Sequence, residues 1–201
     1  MPRFVEPLEP RRLLSVSPTI QADLNLVRGA ISSVLADAKH AERLSKPDLH
    51  RLRIDFRHAN PSEKHLFNVF NGNLGRGVGD FDGSLSFVRH IAGFDLPLVI
   101  SALNSLQRNP GNTAGEAMLS SAVSWLTTDS QTGGLLAEAL QQTNKASSDL
   151  STLAASLPSN APAHRDVAQA QTDVTAVSSA QNADSTSLKS SVQKLIADVT
   201  S

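Results

Sequence analysis

From Pro18 onward the apolar residues Ile20, Leu24, Val27, Ile31, Val34, Ala38 and Ala41 follow one another at alternating steps of four and three. That spacing draws a single apolar stripe along a helix. Ser17 offers an N-cap and Pro18 suits the first helical position, while Lys46-Pro47 predicts an end or a kink. Leu49, Leu52, Phe56 and Ala59 suggest a second helix. Asn60-Pro61 closes it and opens a third, with Asn60 as N-cap, Glu63 completing a capping box, and Leu66, Phe67 and Phe70 on the apolar face. Gly72 to Gly83 holds five of the chain's eleven glycines. Each costs roughly 1 kcal/mol in a helix, so the stretch predicts a loop that stops the third helix. A short helix follows around Leu85 to Ile91. Asp95 then reads as the cap of a helix carrying Leu96, Val99, Ile100, Leu103 and Leu106. Asn109-Pro110-Gly111-Asn112 is a turn, and Thr113 with Glu116 forms the capping box of the next helix.

Beyond residue 112 Ser, Thr, Ala and Gln take over. Heptad-like spacing continues at Leu136, Leu140, Thr143, Ser147, Leu150, Ala154 and Leu157. After the connection at Pro158 to Pro162 a thin stripe runs from Val167 to Val199, interrupted by Gln181 and Asp184. No strand-like alternation of useful length occurs. The expectation is an all-α helical bundle with a long antiparallel C-terminal helical hairpin and an extended N-terminal arm. Its parts are an arm over 1–16, a compact helical part over 17–112 with the Gly-rich loop 72–83, and a hairpin part over 113–201. Reflecting the hairpin about residue 160 sets Leu195 near Trp125, so the final helix should pack on the one begun at Thr113.

The composition agrees. The chain is 40% apolar but only 4% aromatic and lacks Tyr, which suits close-packed helices better than sheets. A net charge of −1 argues against a dedicated nucleic-acid protein. The basic residues between Lys39 and Lys64 are interleaved with Asp37, Glu42, Asp48, Asp55 and Glu63, the pattern of a salt-bridged surface. With no cysteine, disulfides and thiolate chemistry are excluded. No run approaches ~18 consecutive apolar residues, so no transmembrane helix is expected.

Candidate chemistry is sparse. Asp80, Asp82, Gly83 and Leu85 fit positions 3, 5, 6 and 8 of a calcium loop of the EF-hand kind. Val78 and Arg89 then stand at positions 1 and 12, where oxygen ligands belong. Asp80 and Asp82 are therefore weak metal candidates, and a plain Gly-rich connector is the favoured reading. His50 and His58 share a helix face but lie ~12 Å apart along the axis, too far to hold one ion. No nucleophile elbow, P-loop or dinucleotide fingerprint is present. No catalytic residue and no cofactor are expected.

The N-terminal run Leu8-Glu9-Pro10-Arg11-Arg12-Leu13-Leu14, within Phe4 to Ser15, resembles the LEPR-XLL segment that begins many large bacterial surface and exported proteins. Val16 stands where that family often has Ala. The resemblance covers about a dozen residues and implies an address, export or placement at the cell envelope, carried by Leu8, Glu9, Pro10, Arg11, Leu13 and Leu14. Without it nothing would direct the chain out of the cytoplasm. Pro7 and Pro10 keep their preceding residues out of the helical region, so the arm should be extended to about Arg11. The leading expectation is a non-catalytic exported or envelope-associated helical scaffold or interaction protein. Its partner would be a protein or envelope component, and its C-terminal helices a surface through which copies would associate. The alternatives are a small metal-binding protein or enzyme near His50, His58 and the 72–83 loop, and a membrane-active helical protein. Gln181 and Asp184 weigh against the last.

Overall fold

The computed structural model describes residues 17–130, 133–158 and 161–201. The LEPR-XLL residues lie outside them. The protein is all-α: α1 (Pro18–Asp55), α2 (Pro61–His90), α3 (Leu96–Arg108), α4 (Thr113–Ser130), α5 (Gly133–Ser156) and α6 (Pro162–Thr200). A 3-10 turn, Phe56–His58, follows α1, and a single π-helical turn, Ile91–Asp95, joins α2 to α3.

The helix starts follow from their caps. Ser17 Oγ accepts from Ile20 N at 3.1 Å. Asn60 and Glu63 exchange both bonds of the capping box, at 2.9 and 3.2 Å. At the head of α4 the cap is Asn112, whose Oδ1 accepts from Ala114 N, in place of the Thr113–Glu116 box expected from the sequence. Pro47 does not end α1, which runs through it to Asp55. The two helices expected there are one, because α6 flanks α1 along its whole length.

The largest correction concerns residues 72–83. They form no loop but lie inside α2. Phe70, Leu74, Gly77, Phe81, Leu85 and Val88 recur at three- and four-residue steps and are buried, a core stripe with a glycine in it. Gly72, Gly75, Gly79 and Gly83 recur in the same way on the outer face. Burial of the inner stripe outweighs a helix penalty of about 1 kcal/mol per glycine.

Four antiparallel neighbours close the bundle. α5 and α6 form the expected hairpin: Ser147 and Ser151 meet Gln171, and Asn144 meets Ser178. α2 lies against α5, where Asn73 Nδ2 donates to Asp149 Oδ2 at 2.7 Å. α1 lies against α6, with Lys194 Nζ 2.6 Å from Asp23. The segments on either side of residue 112 are therefore interleaved. α3 and α4 continue α2 and lead into α5 as a second, shorter hairpin. α4 also touches α6, as anticipated, but Ala122 and Leu126 make the shared core with Leu188, Val192 and Leu195. Trp125 points outward and is 45% exposed.

Two apolar cores fill the bundle. One is built around Leu52, Phe67, Phe70, Leu150 and Val167, and stacks Phe56 on Phe67 at 5.4 Å. The other holds Leu24, Val34, Phe81, Val99, Leu126 and Leu195. Between them lies a waist of small or polar groups: Ser45 and Asp48 from α1, Gly77 from α2, Thr143 from α5, Gln181 and Asp184 from α6. The polar interruptions of the last stripe are thus fully buried, not a weak surface. By length and composition alone, one 18-residue window within the continuous stretch Pro61–Arg108 reaches the mean hydropathy of a membrane-crossing helix, a different criterion from the run of consecutive apolar residues used above. Val88, Ile91, Val99 and Leu103 of this stretch are buried in the bundle, while Val69, Phe87 and Phe94 are exposed.

Candidate functional site

The residues singled out in the sequence do not converge. His50 on α1 and His58 in the following turn are exposed. Asp80 and Asp82 both stand in α2, so no calcium loop exists for them to line. Asp80 is half-buried, and the side chain of Asp82 lies outside the described part. What the fold assembles instead is His90, Asp95 and Asp129, at the π-helical turn where α2, α3 and α4 meet.

The turn has a local cause. Pro97, second residue of α3, has no N–H, and its ring collides with the carbonyl four residues back in a regular helix. The backbone widens just ahead of it, and Leu96 N–H bonds to Ile91 O. In an α-helix residues five apart diverge by about 140°. In a π-helical turn they share a side. Asp95, seven residues after Val88 and four after Ile91, belongs to the buried stripe, and the widened turn brings it round toward His90.

His90 Nδ1 lies 2.7 Å from Asp129 Oδ2 and 3.7 Å from Asp95 Oδ1. One donor atom from each of the three lies within 4.8 Å of the others. The side chains of His90, Asp129 and Asp95 are 51%, 18% and 0% exposed, so the group is open at the ring and closed behind Asp95. Neither carboxylate oxygen of Asp95 has a hydrogen-bond donor. Burial pushes the Asp95 carboxyl up to about 6, and the charge of Asp129 adds to the rise while His90 opposes it.

An aromatic wall borders the site. The His90 ring stacks on Phe94 at 5.0 Å, and Phe94 meets Trp125 at 5.4 Å. Phe87, one turn before His90, is 39% exposed and Phe94 is 45% exposed. Trp125 and Asp129 stand four apart on α4, the spacing that puts both on one face.

A second set of carboxylates lines the α1–α6 seam. Asp23 meets Asp198, Asp37 meets Asp184, Asp48 meets Asp173 and Asp55 meets Asp166. Steps of 14, 11 and 7 on α1 match equal steps backward on α6, one antiparallel register throughout. Burial and then Asp173 push Asp48 up to about 6, against its ion pair with Arg51. Burial also pushes Asp184 up to about 6; Ser33 opposes the rise and Asp37 adds to it.

Sequence inspection missed the His90 group because Asp95 looks like a helix cap. The single usable signal was the pair Gly93 and Pro97 inside a strongly apolar helix. No protein-family model matches the chain, and no curated protein and no solved structure matches it either.

Proposed function

We propose that the protein is a non-catalytic helical module that works through its surface, at the cell envelope or outside the cell, by engaging a protein partner. The observation that supports the surface role is the aromatic patch of Phe87, Phe94 and Trp125. A chain with 4% aromatic residues holds three of them in solvent around one seam. Rigid aromatic side chains lose little entropy on contact and dominate protein recognition. The carboxylate of Asp129 at the patch rim disfavours an anionic lipid surface, which attracts basic segments. The address is supported by the LEPR-XLL resemblance of residues 4–15. Leu150 and Leu153 of α5 and the apolar stripe of α6 are buried inside the bundle, which supports contact at this patch rather than through the C-terminal helices.

Two measurements test the reading. Fractionation of the producing cell should find the full chain in the envelope or medium and a chain lacking residues 1–16 in the cytoplasm. A photoreactive side chain at position 87 should crosslink one discrete protein in those cells, whereas the same group at exposed Ile54 should not. Unchanged location, or equal labelling from both positions, refutes it.

A further inference from the structure

We propose that His90, Asp95 and Asp129 form a binding site for a divalent transition-metal ion of the zinc class. The donor set is one imidazole nitrogen and two carboxylates, which suits such ions. Around one ion with bonds of ~2.0–2.2 Å, donor atoms stand about 3–3.5 Å apart. The present spacings, 2.7 and 3.7 Å from His90 to the two carboxylates and at most 4.8 Å overall, bracket that value. The His90 ring, held by Asp129 and stacked on Phe94, is half-exposed, and its open side leaves room for the adjustment.

Charge points the same way, independently of spacing. Asp95 is fully buried with no hydrogen-bond donor on either oxygen, its neighbours being the Asp129 carboxylate and, at 3.7 Å, His90, a costly arrangement for a carboxylate. A second carboxylate, Asp129, stands beside it, and His90 supplies at most one positive charge. A divalent ion between the three would balance the group and give the buried oxygens a close partner. The closed side behind Asp95 and the open side at His90 provide a floor and an entry path. Three protein donors also leave coordination positions facing solvent.

The aromatic wall makes the site self-reporting. Trp125 is the only tryptophan and reaches His90 through Phe94. A paramagnetic ion bound there should quench its fluorescence.

The test uses the untagged full chain, stripped with chelator. Zn²⁺ binding is followed by calorimetry, and Co²⁺ binding by Trp125 emission and visible absorption. One equivalent should bind, Co²⁺ should quench Trp125, and Zn²⁺ should reverse the quenching. His90→Gln and Asp95→Asn should each weaken binding by more than about a hundredfold, beyond the ~10–100-fold scale on which outer-shell changes act. Asp95→Asn removes a buried charge, so its melting temperature without metal should be equal or higher, separating loss of a ligand from loss of fold. Should that variant fail to fold, His90→Gln, at an exposed ring, decides alone. Absence of saturable binding, or binding that leaves Trp125 unquenched and survives His90→Gln, overturns the proposal. Neither outcome bears on crosslinking from position 87.

Discussion

The glycines of α2 allow a sharp test, because the same substitution should act in opposite directions two residues apart. A Cβ built on Gly75 or Gly79 meets nothing within 4 Å. There Ala keeps the helix and sheds the entropy cost of glycine, so each change should stabilise by about 0.5–1 kcal/mol. A Cβ on Gly77 would lie 2.7 Å from Thr143 Oγ1, 3.1 Å from Thr143 N and 3.4 Å from Ala139 O. The hydroxyl is itself held, donating to Ala139 O at 2.9 Å inside the core. Moving it breaks that bond, worth ~1 kcal/mol, and the backbone nitrogen behind it cannot yield. Overpacking of this kind costs about 1–3 kcal/mol, so Gly77→Ala should destabilise by roughly 1–2 kcal/mol net of the propensity gain. Urea denaturation of the three single variants measures this. Adding Thr143→Ala to Gly77→Ala should restore part of the loss, a coupling that independent sites would lack. If Gly75→Ala and Gly79→Ala lose stability as Gly77→Ala does, the stretch is not a helix with one inward glycine. If Gly77→Ala is neutral, α5 is not in contact there.

Asp184→Asn should raise the melting temperature at pH 7.5 and do little at pH 4. An acid whose folded pKa, about 6, exceeds the unfolded value near 3.9 favours folding when protonated. Its contribution is therefore full below about pH 4 and is lost as pH rises to about 6. At ~1.4 kcal/mol per unit the gain at pH 7.5 is of order 2–3 kcal/mol, and a melting curve insensitive to pH between 4 and 7 would refute it. Asp48, raised by burial and Asp173, contributes with the same sign. Leu195→Ala should destabilise by about 2–5 kcal/mol, since Leu195 is fully buried. Native Trp125 emission should barely move, because that ring faces Phe94 and solvent, and a large shift would place Trp125 in the core.

The sequence was legible wherever a cap or a long stripe stood alone. Ser17-Pro18, Asn60-Pro61-Glu63 and the 109–112 turn mark boundaries by hydrogen bonds local to a few residues. The α5–α6 register follows from the length of the connection at 158–162. Residues 72–83 read as a loop only when each glycine is weighed by itself. The better signal was the continuity of Leu74, Phe81, Leu85 and Val88 across them. Pro47 misled for the same reason, since tertiary burial along α6 overrode a local penalty. The His90 group was beyond reach, because it depends on a one-residue widening of a helix and on which face of α4 turns toward it. Neither is written in local periodicity.

The α1–α6 seam has a consequence for how the chain comes into being. About a hundred residues separate Asp55 from Pro162, yet the two helices cover each other from end to end. The last residue of α6, Thr200, follows Asp55 by 145 positions, so at a synthesis rate of ~5–20 residues per second α1 waits roughly 7–30 s for its partner to be made. Through that interval its apolar stripe has no cover from α6, and its acidic positions, Asp23, Asp37, Asp48 and Asp55, face water instead of Asp198, Asp184, Asp173 and Asp166. The nascent bundle cannot close early, and the side of α1 that α6 covers stays open until α6 arrives.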